Sequence, residues 1–506
     1  MASKFFGVIY ITPLKMELSI VNLKELSVLE RISSAPFIYQ DDSEHKIYQE
    51  ELQKIIATLG DFNITLKEYG VTNYAVWGNK QLIDDVSARY LTDQIYVRTG
   101  IKINWLNTNQ ITYYKAIAVM TLVNNFDKLS NHPTYLLNLG SATITLSKFE
   151  HQQFVTSWDI DLSYQDMEKM VASLRKTVIS PVEVLSDYIG SKLETIRIAL
   201  KATTTQVNLI IQGSRALNAK FLFKEDDCIE LEKNKFSKIY SDALSAPDQY
   251  LFKYFIQDDN AIDRIIPDLL VINKIIQYTQ ANKLYLTNLA VSTGLALEEA
   301  FKGTQKNEVY TKLILTSAEN IAQRYQISSY HHKVVSSLAL HLFDQLKRLH
   351  RLNKRHRLLL QIASTVDDIG NFINQHGHYR HSAYILESNK IIGLSDIENQ
   401  IIAEISRYHS AESPEVNQHH YRHLDADIQM PVAKLAAILR LADALDDSRE
   451  QKITKISVSL QEEQVVITAI SNQNLALEKW AFSHKLSLFK EVYGITPVLK
   501  QRRSTK

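Results

Sequence analysis

The chain has 506 residues, with 57 lysines and arginines against 56 aspartates and glutamates, so its formal net charge is +1. That length predicts two to four domains of roughly 100–200 residues each. The balanced charge excludes a global attraction to nucleic acid or to acidic membranes, so any polyanion site must be a local patch. The one cysteine, Cys228, excludes an internal disulfide framework and suits a reducing cytosol, where we expect the protein. We find no signal-peptide pattern and no apolar stretch of the roughly 18 residues that a membrane span requires.

Glycine is scarce, with 14 residues in the chain, which is under half the usual share of about 7%. Loops that hold phosphate usually need glycine, because the backbone must approach the anion closely. The composition therefore argues against glycine-rich phosphate loops.

Short strands and helices alternate through the N-terminal part. The first set is strands Phe5–Ile11 and Met16–Val21, helix Glu44–Leu59, strand Tyr74–Trp77, helix Gln81–Gly100, strand Ile101–Leu106 and helix Thr112–Asn124. The second set is strands Tyr135–Leu139, Thr143–Phe149 and Phe154–Ile160, helices Ser163–Leu174 and Pro181–Ala202, and strand Val207–Ile211. Because a hairpin restarts the pattern, we predict two similar α/β subdomains at residues 1–120 and 121–300.

The remainder predicts a helical domain at 301–450 and a small α+β domain at 451–506. The helical periodicity covers Val334–Leu346, Leu358–Ile369, Ile397–Tyr408 and Val432–Leu445. Ser395 and Glu398 form a capping box at the start of the third of these helices. The tail predicts strands Ile453–Leu460 and Val465–Ile470, a helix from about Trp480 and a strand at Thr496–Lys500.

The predicted helical domain contains a set of histidines and aspartates that one interior could gather. Its members are His331, Asp367, Asp368, His378, His381, His409 and Asp443. Imidazole and carboxylate are ligands of Mn²⁺, Fe²⁺, Zn²⁺ and Mg²⁺. A single histidine is more often a surface or core residue than a ligand, but the order and spacing favour His331, Asp368 and Asp443 as candidate metal ligands.

This order resembles the HD superfamily, in which a histidine, a His-Asp pair and a distant aspartate hold metal. Here Asp367 stands where the pair has its histidine, a poorer match to a transition-metal site. The segments HSAYILESNKIIGLSDIE and ILRLADALDDSR resemble, more specifically, the C-terminal half of the exopolyphosphatase / guanosine pentaphosphate phosphohydrolase (Ppx/GppA) family. The resemblance is strong over about 120 residues.

The resemblance implies a duplicated actin-like ATPase (ribonuclease H-like) N-terminal half, followed by a helical HD-type domain and a small α+β tail. It also implies hydrolysis of phosphoanhydride bonds in the N-terminal interdomain cleft, Mg²⁺ or Mn²⁺ as cofactor, and a homodimer. Polyphosphate or guanosine tetra- and pentaphosphate would be the ligands, with no nucleic acid and no membrane as partner.

The catalytic motifs of that family are largely substituted in this chain. The family's first phosphate loop, DLGSNS, corresponds to Tyr10–Lys15, which has no acid, glycine or serine. In the second loop, DIGGGSTE, Asn138 replaces the acid and Thr143 keeps a hydroxyl. Gln110 lies in the counterpart of SGEEEA, and an amide cannot take a proton from water as a glutamate does. Three further family side chains, two arginines and a glutamate, correspond to Trp77, Ala296 and Leu297.

A run of basic residues joins the first two helices of the predicted helical domain. It comprises Lys347, Arg348, Arg351, Lys354, Arg355 and Arg357. Such a run can bind a chain of phosphates by repeated charge-assisted contacts, although most charge runs are solvated loops. We weigh the two interpretations equally.

Three functional hypotheses remain open from the sequence. The first is a catalytically impaired family member, a pseudoenzyme that binds polyphosphate, a guanosine polyphosphate or a partner protein in regulation. The second is an active phosphohydrolase, working either in the N-terminal cleft or at the HD-type site. The third is a structural partner of an active paralogue.

Overall fold

A computed structural model describes residues 4–12, 15–34, 49–80, 83–140, 143–163, 166–167, 170, 173, 180–200, 206–221, 228–245, 262–327, 329–415 and 418–503. The chain divides into two compact units, Met1–Leu313 and Ile314–Lys506. None of the described helices is long and apolar enough to cross a membrane. The predicted boundaries at residues 120, 300 and 450 stay predictions.

The first unit begins with a five-stranded sheet. Its elements are β1 (Phe5–Ile11), β2 (Met16–Asn22), β3 (Ser27–Ser33), α1 (Gln49–Glu68), β4 (Tyr74–Asn79), α2 (Asp85–Thr99), β5 (Ile103–Leu106), α3 (Thr108–Leu122) and α4 (Phe126–Leu129). The strand order is β3-β2-β1-β4-β5, with antiparallel pairing among β1–β3 and parallel pairing from β1 to β4 and β5. Apolar side chains of β1 and β2 pack on α1 and α2 as one core, because these strands are apolar along nearly their whole length.

A second sheet repeats this plan. Its elements are β6 (Thr134–Leu139), β7 (Ile144–Glu150), β8 (Gln153–Ile160), α5 (Pro181–Lys192), α6 (Glu194–Ala199), β9 (Asn208–Gln212), α7 (Arg215–Lys220), β10 (Cys228–Leu231), α8 (Lys233–Ser245), α9 (Ile262–Thr279), β11 (Lys283–Thr287) and α10 (Val291–Phe301). The order is β10-β11-β9-β6-β7-β8, in which β6–β8 form the antiparallel meander and β9 and β11 continue it in parallel. Both sheets thus place a hairpin beside parallel strands, and the predicted duplication is present in the topology.

Helices dominate the second unit. They are α11 (Gln305–Arg324, which begins in the first unit), α12 (Ser329–Gln345), α13 (Lys347–His350), α14 (Lys354–Val366), α15 (His378–Ser388), α16 (Asp396–Tyr408), α17 (His419–Arg422) and α18 (Ala426–Ala444). Five of them form the core that positions the candidate site, with α12 packed on α14 and α18, and α16 packed on α14, α15 and α18. Helix α18 is buried along most of its length, which its apolar sequence explains.

The chain ends in a three-stranded sheet with two helices. The elements are β12 (Lys455–Leu460), β13 (Gln464–Ile470), α19 (Ala476–Lys485), α20 (Ser487–Tyr493) and β14 (Thr496–Arg502). Strand β13 lies in the middle, antiparallel to β12 and parallel to β14. The overall class is therefore α/β followed by an all-α region and a small α+β tail.

Several boundaries differ from the sequence predictions. Helix α2 begins at Asp85 because Asp84 caps it, four residues after the predicted start. Helix α3 begins at Thr108, since Asn107 forms its capping box with Gln110. Residues 44–48 of the first predicted helix, and most of the predicted helix at 163–174, lie outside the described residues.

Candidate functional site

Five of the helices bring the predicted histidines and aspartates together near their ends. His331 lies in the first turn of α12, and Asp367 and Asp368 follow the last residue of α14. His378 begins α15, and His409 follows the end of α16. The last member, the aspartate at 443, lies near the end of α18. We call these residues the His/Asp cluster.

A glycine allows the chain to turn sharply at the cluster. A Cβ on Gly370 would lie 2.0 Å from the carbonyl oxygen of His378 and 2.5 Å from the amide nitrogen of Ser382. The Gly370 amide also donates a hydrogen bond of 2.8 Å to Ser382 Oγ. Only glycine fits this close approach, which holds Asp368 against the beginning of α15.

Asp368, His378 and His409 form the most compact part of the cluster. Their candidate ligand atoms all lie within 4.8 Å of one another. Asp368 Oδ1 is 3.3 Å from His378 Nε2 and 3.7 Å from His409 Nε2. The two Nε2 atoms are themselves 3.3 Å apart. His381, also predicted for this site, lies one turn later on α15 and is not one of the three.

Backbone carbonyls orient both imidazole rings of this group. His378 Nδ1 donates to the carbonyl of Gln375 at 3.1 Å, and His409 Nδ1 donates to the carbonyl of Ser406 at 2.6 Å. Because each Nδ1 donates in these bonds, each Nε2 faces Asp368 and is the nitrogen that could bind a metal once it has lost its own proton. Metal-binding histidines typically have this arrangement.

His331 and Asp443 form the other part of the cluster. His331 Nε2 is 3.3 Å from Asp443 Oδ1, and its Nδ1 donates to Asp446 Oδ2 at 2.8 Å. Lys485, from α19, contacts Asp443 Oδ2 and lies 3.3 Å from an oxygen of Asp447. Burial alone would lower the pKa of His331, but the two aspartates raise it to about 9. This half of the cluster is an ion-pair network that compensates its own charges.

Arg449 contacts the outer oxygen of Asp368. Its guanidinium donates to Oδ2 at 2.6 Å, which leaves Oδ1 to face the two histidines. Burial would raise the pKa of Asp368, yet His409 and Arg449 hold it well below its usual range. Burial likewise would lower the pKa of His409, and the Asp368 and Asp367 carboxylates raise it to about 9.

Asp367 differs from its neighbour. Its side chain is buried, and this burial raises the pKa of Asp367 to about 7. The residues whose ligand atoms converge most closely are Asp368, His378 and His409, two imidazoles and one carboxylate of the kind that bind iron, manganese or zinc. The predicted set of His331, Asp368 and Asp443 is less compact and stays a prediction.

The positions that correspond to the family's N-terminal motifs have other contacts. Tyr10 is buried in β1, opposite Glu17 of β2, and its burial raises the pKa of the phenol. Gln110 completes the capping box of α3, accepting a bond of 3.2 Å from the Asn107 amide. Thr143 accepts a backbone bond from Gly140. Pro13, Leu14, Ser141 and Ala142 of the two loops lie outside the described residues.

Asn138 has a cationic neighbour. Lys115 of α3 donates a hydrogen bond to Asn138 Oδ1, and the Asn138 amide group donates to Thr145 Oγ1 at 3.3 Å. Among the residues that the structure describes, no carboxylate pairs with Lys115, and burial lowers its pKa to about 8. The three other family positions are non-ionisable, with Trp77 partly buried and Ala296 and Leu297 buried in α10.

Two of the six predicted polyanion-binding residues form ion pairs. Arg355 donates to both oxygens of Glu398, at 2.6 and 3.0 Å, and Arg357 donates to both oxygens of Asp344, at 2.7 and 2.8 Å. The side chains that remain exposed without such a pair in the described part of the chain are Lys347, Arg348, Arg351 and Lys354.

Sequence reasoning did not single out Lys115, Asp446, Arg449 or Lys485. Asp446 and Arg449 both lie within the ILRLADALDDSR segment, so their closeness in sequence to Asp443 was an available signal. Lys115 and Lys485 carry no such signal, because each reaches its partner only through the packing of distant elements.

Both parts of the chain are similar to known proteins. Residues 315–488 match the family model of the Ppx/GppA phosphatase, domain III. The chain is similar to the crystal structure of the Aquifex aeolicus member of the Ppx/GppA family, with 12% identity, a TM-score of 0.50, and coverage of 59% of this chain and 98% of that chain. It is also similar to the structure of an exopolyphosphatase from Cytophaga hutchinsonii, at 14% identity and a TM-score of 0.49, covering 60% of this chain and 99% of that one.

At these identities the structural likeness shows the fold alone, here the duplicated actin-like α/β fold of the N-terminal three fifths. The match to domain III is made on the helical region that contains the His/Asp cluster. The chain therefore combines an N-terminal part of this fold with a region, residues 315–488, that matches domain III of the Ppx/GppA phosphatases.

Proposed function

We propose that this protein is a Ppx/GppA family member that binds a phosphate chain, and that its N-terminal unit does not hydrolyse the bound chain. The observation that carries the proposal is the contact between Lys115 and Asn138. Asn138 stands where the resemblance places an acid for a divalent cation, and an ammonium group lies against it. A divalent cation placed there would be repelled by Lys115 and would find an amide instead of a carboxylate.

The other substituted positions support the same conclusion. Gln110 is engaged as a helix cap, and Tyr10 is buried and keeps its proton at neutral pH. Neither side chain can act as the general base for an attacking water, and loss of a general base typically costs about 10²–10⁴ in rate.

The proposed ligand is polyphosphate or a guanosine polyphosphate. The support is the match of residues 315–488 to the Ppx/GppA phosphatase domain III and the four exposed cations Lys347, Arg348, Arg351 and Lys354. Repeated charge-assisted contacts of this kind suit a chain of phosphates.

The test measures binding and turnover on one preparation. We expect long-chain polyphosphate to bind the full chain, with no phosphate release above the blank in the presence of Mg²⁺ or Mn²⁺. Asn138→Asp should not restore turnover, because Lys115 would pair with the new carboxylate. Robust release that a chelator abolishes would overturn the proposal, and so would the absence of binding at low salt.

A second candidate function is metal-dependent hydrolysis at Asp368, His378 and His409, favoured by their geometry and by the orientation of both imidazoles. These three side chains would hold the metal, which would supply an activated water and a positive charge for phosphate. Arg449 would keep Asp368 ionised and oriented.

We expect His378→Ala/His409→Ala to lower the Mn²⁺ or Zn²⁺ content by one ion per chain, as measured by elemental analysis. His381→Ala, one turn away on the same helix, is the matched control and should retain it. If a phosphatase activity is found that the double variant leaves intact, this second candidate is wrong.

A further inference from the structure

A second group of ligand-type side chains lies away from the His/Asp cluster. Glu387 is near the end of α15, Glu404 is in the third turn of α16, and His420 is in α17. One candidate ligand atom from each residue lies within 4.8 Å of the other two. We propose that Glu387, Glu404 and His420 form a second divalent-cation site, of the class that prefers mixed imidazole and carboxylate ligands.

The group is spatially separate from Asp368, His378 and His409. Glu387 and His378 are nine residues apart on the same helix, which is about 13 Å at 1.5 Å per residue. Glu404 precedes His409 by five residues, or about 7 Å along α16. A metal held by one group therefore cannot share ligands with the other.

The Glu404 carboxylate supplies the strongest evidence for a missing partner. Its residue is only 3% exposed, and no hydrogen bond to its Oε2 atom meets the geometric limits in the described part of the chain, although the Tyr408 hydroxyl, one turn later on α16, interacts with this carboxylate. A buried carboxylate oxygen without a partner costs free energy, because it has lost its hydration and gained nothing in exchange. Burial accordingly raises the pKa of Glu404, and a cation at Oε2 would remove the penalty.

Arg407 orients both carboxylates without using all of their oxygens. Its guanidinium contacts Glu404 Oε1 at 3.3 Å and Glu387 Oε1 at 2.9 Å. The second oxygen of each carboxylate remains for a cation. Hydrogen-bonded carboxylates of this kind are typical of metal sites, where outer partners fix the direction of the ligand oxygens.

The charge and exposure indicate the kind of cation. Two carboxylates and one guanidinium leave a net charge of about −1 when His420 is neutral, so binding should be moderate. The imidazole favours Zn²⁺, Mn²⁺ or Co²⁺ over Mg²⁺ and Ca²⁺. Glu387 and His420 are exposed, so a bound ion would also keep water ligands.

The experiment uses Zn²⁺ on the full chain, in the His378→Ala/His409→Ala background, so that the first group cannot contribute. Zn²⁺ per chain is measured by elemental analysis after dialysis, and affinity is measured by calorimetry. We expect one remaining ion, with Mg²⁺ in excess unable to displace it. Loss of a residue that only hydrogen-bonds to a metal ligand typically weakens metal binding about 10–100-fold. His420→Ala and Glu404→Gln each remove a ligand, so each should weaken Zn²⁺ binding by more than that.

The matched control is His484→Ala/Glu462→Gln, which removes one exposed histidine and one exposed glutamate elsewhere in the same unit. It should leave the remaining Zn²⁺ in place. If Glu404→Gln does not fold, the surface variant His420→Ala decides alone. No bound Zn²⁺ in the background protein, or binding that His420→Ala leaves unchanged, would overturn the proposal.

Discussion

At the scale of a single residue, Lys115 is an ammonium group in a partly buried position with an amide as its hydrogen-bond partner. Its pKa is about 8 in the folded protein, against 10.5 for a free lysine. The unfolded chain therefore holds this proton more tightly, and the contribution of Lys115 to stability rises with pH between about 8 and 10.5. Below that window the buried charge is a cost, at most about 3 kcal/mol for a shift of this size.

We predict that Lys115→Met is more stable than the wild type at pH 7, and that this advantage disappears by pH 10. The measurement is urea unfolding followed by tryptophan fluorescence, since Trp77, Trp105 and Trp158 all lie in the first unit. The exposed Lys102, replaced in the same way, should give no such pH-dependent difference. Parallel pH profiles of wild type and Lys115→Met would contradict the buried-charge interpretation.

The sequence identified the residues of the His/Asp cluster, but not which of them lie closest together. Spacing along the chain indicated His331, Asp368 and Asp443 as ligands, whereas the most compact set is Asp368, His378 and His409. The difference arises because ligand geometry depends on how α15 and α16 rotate against α14. Gly370 sets that rotation through a contact that no sequence pattern records.

At the scale of an element, α16 shows how a local signal can be read directly. Ser395 accepts a bond of 3.2 Å from the Glu398 amide, and Glu398 accepts one of 2.9 Å from the Ser395 amide, which confirms the predicted capping box. Arg355 also bonds to Glu398, so the cap ties α14 to α16.

We predict that Ser395→Ala lowers the free energy of unfolding of the second unit by about 1 kcal/mol, the usual value of a serine N-cap. Urea unfolding followed by far-ultraviolet circular dichroism measures it. Ser388→Ala, an exposed serine at the end of α15, is the control and should be close to neutral. An equal effect of the two substitutions would show that the cap contributes nothing specific.

Strand β3 was not predicted, because its sequence lacks the apolar pattern that is typical of a strand. Strand β3 (Ser27–Ser33) carries Glu30 and Arg31 in its middle, which hides the alternation expected of a strand. It lies at the edge of its sheet, where charged residues are common because they discourage pairing with other chains. Capping boxes and apolar strands are local and predictable, whereas an edge strand of this kind is recognisable only beside its neighbour.

At the scale of the whole molecule, the repeated order of elements was sufficient to predict the duplication of the first unit. Each sheet has a three-stranded antiparallel meander whose first strand continues into parallel strands, as the restart of the hairpin pattern indicated. Contacts such as Lys115–Asn138 join elements of the two halves of this unit and could not be derived from either half alone.

The near-zero net charge of the chain makes the salt dependence of polyphosphate binding informative. With a net charge of +1, the chain offers no general attraction to a polyanion, so a steep salt dependence would report a local patch. Each phosphate neutralised by a cation releases counterions and adds about 0.7 to the log-log slope of affinity against salt, by analogy with single-stranded nucleic acid.

We predict that replacing Lys347, Arg348, Arg351 and Lys354 with glutamine weakens polyphosphate binding and lowers that slope by about 2–3. Stability should be nearly unchanged, because these side chains are exposed and, unlike Arg355 and Arg357, form no ion pair in the described part of the chain. The matched control replaces four other exposed lysines of the second unit with glutamine and so removes the same total charge; they are Lys333, Lys455, Lys479 and Lys490. The measurement is the affinity for long-chain polyphosphate at several salt concentrations. Equal slopes for the two quadruple variants would mean that the basic run does not contact the phosphates, whereas a loss confined to the first variant assigns the contact to this run.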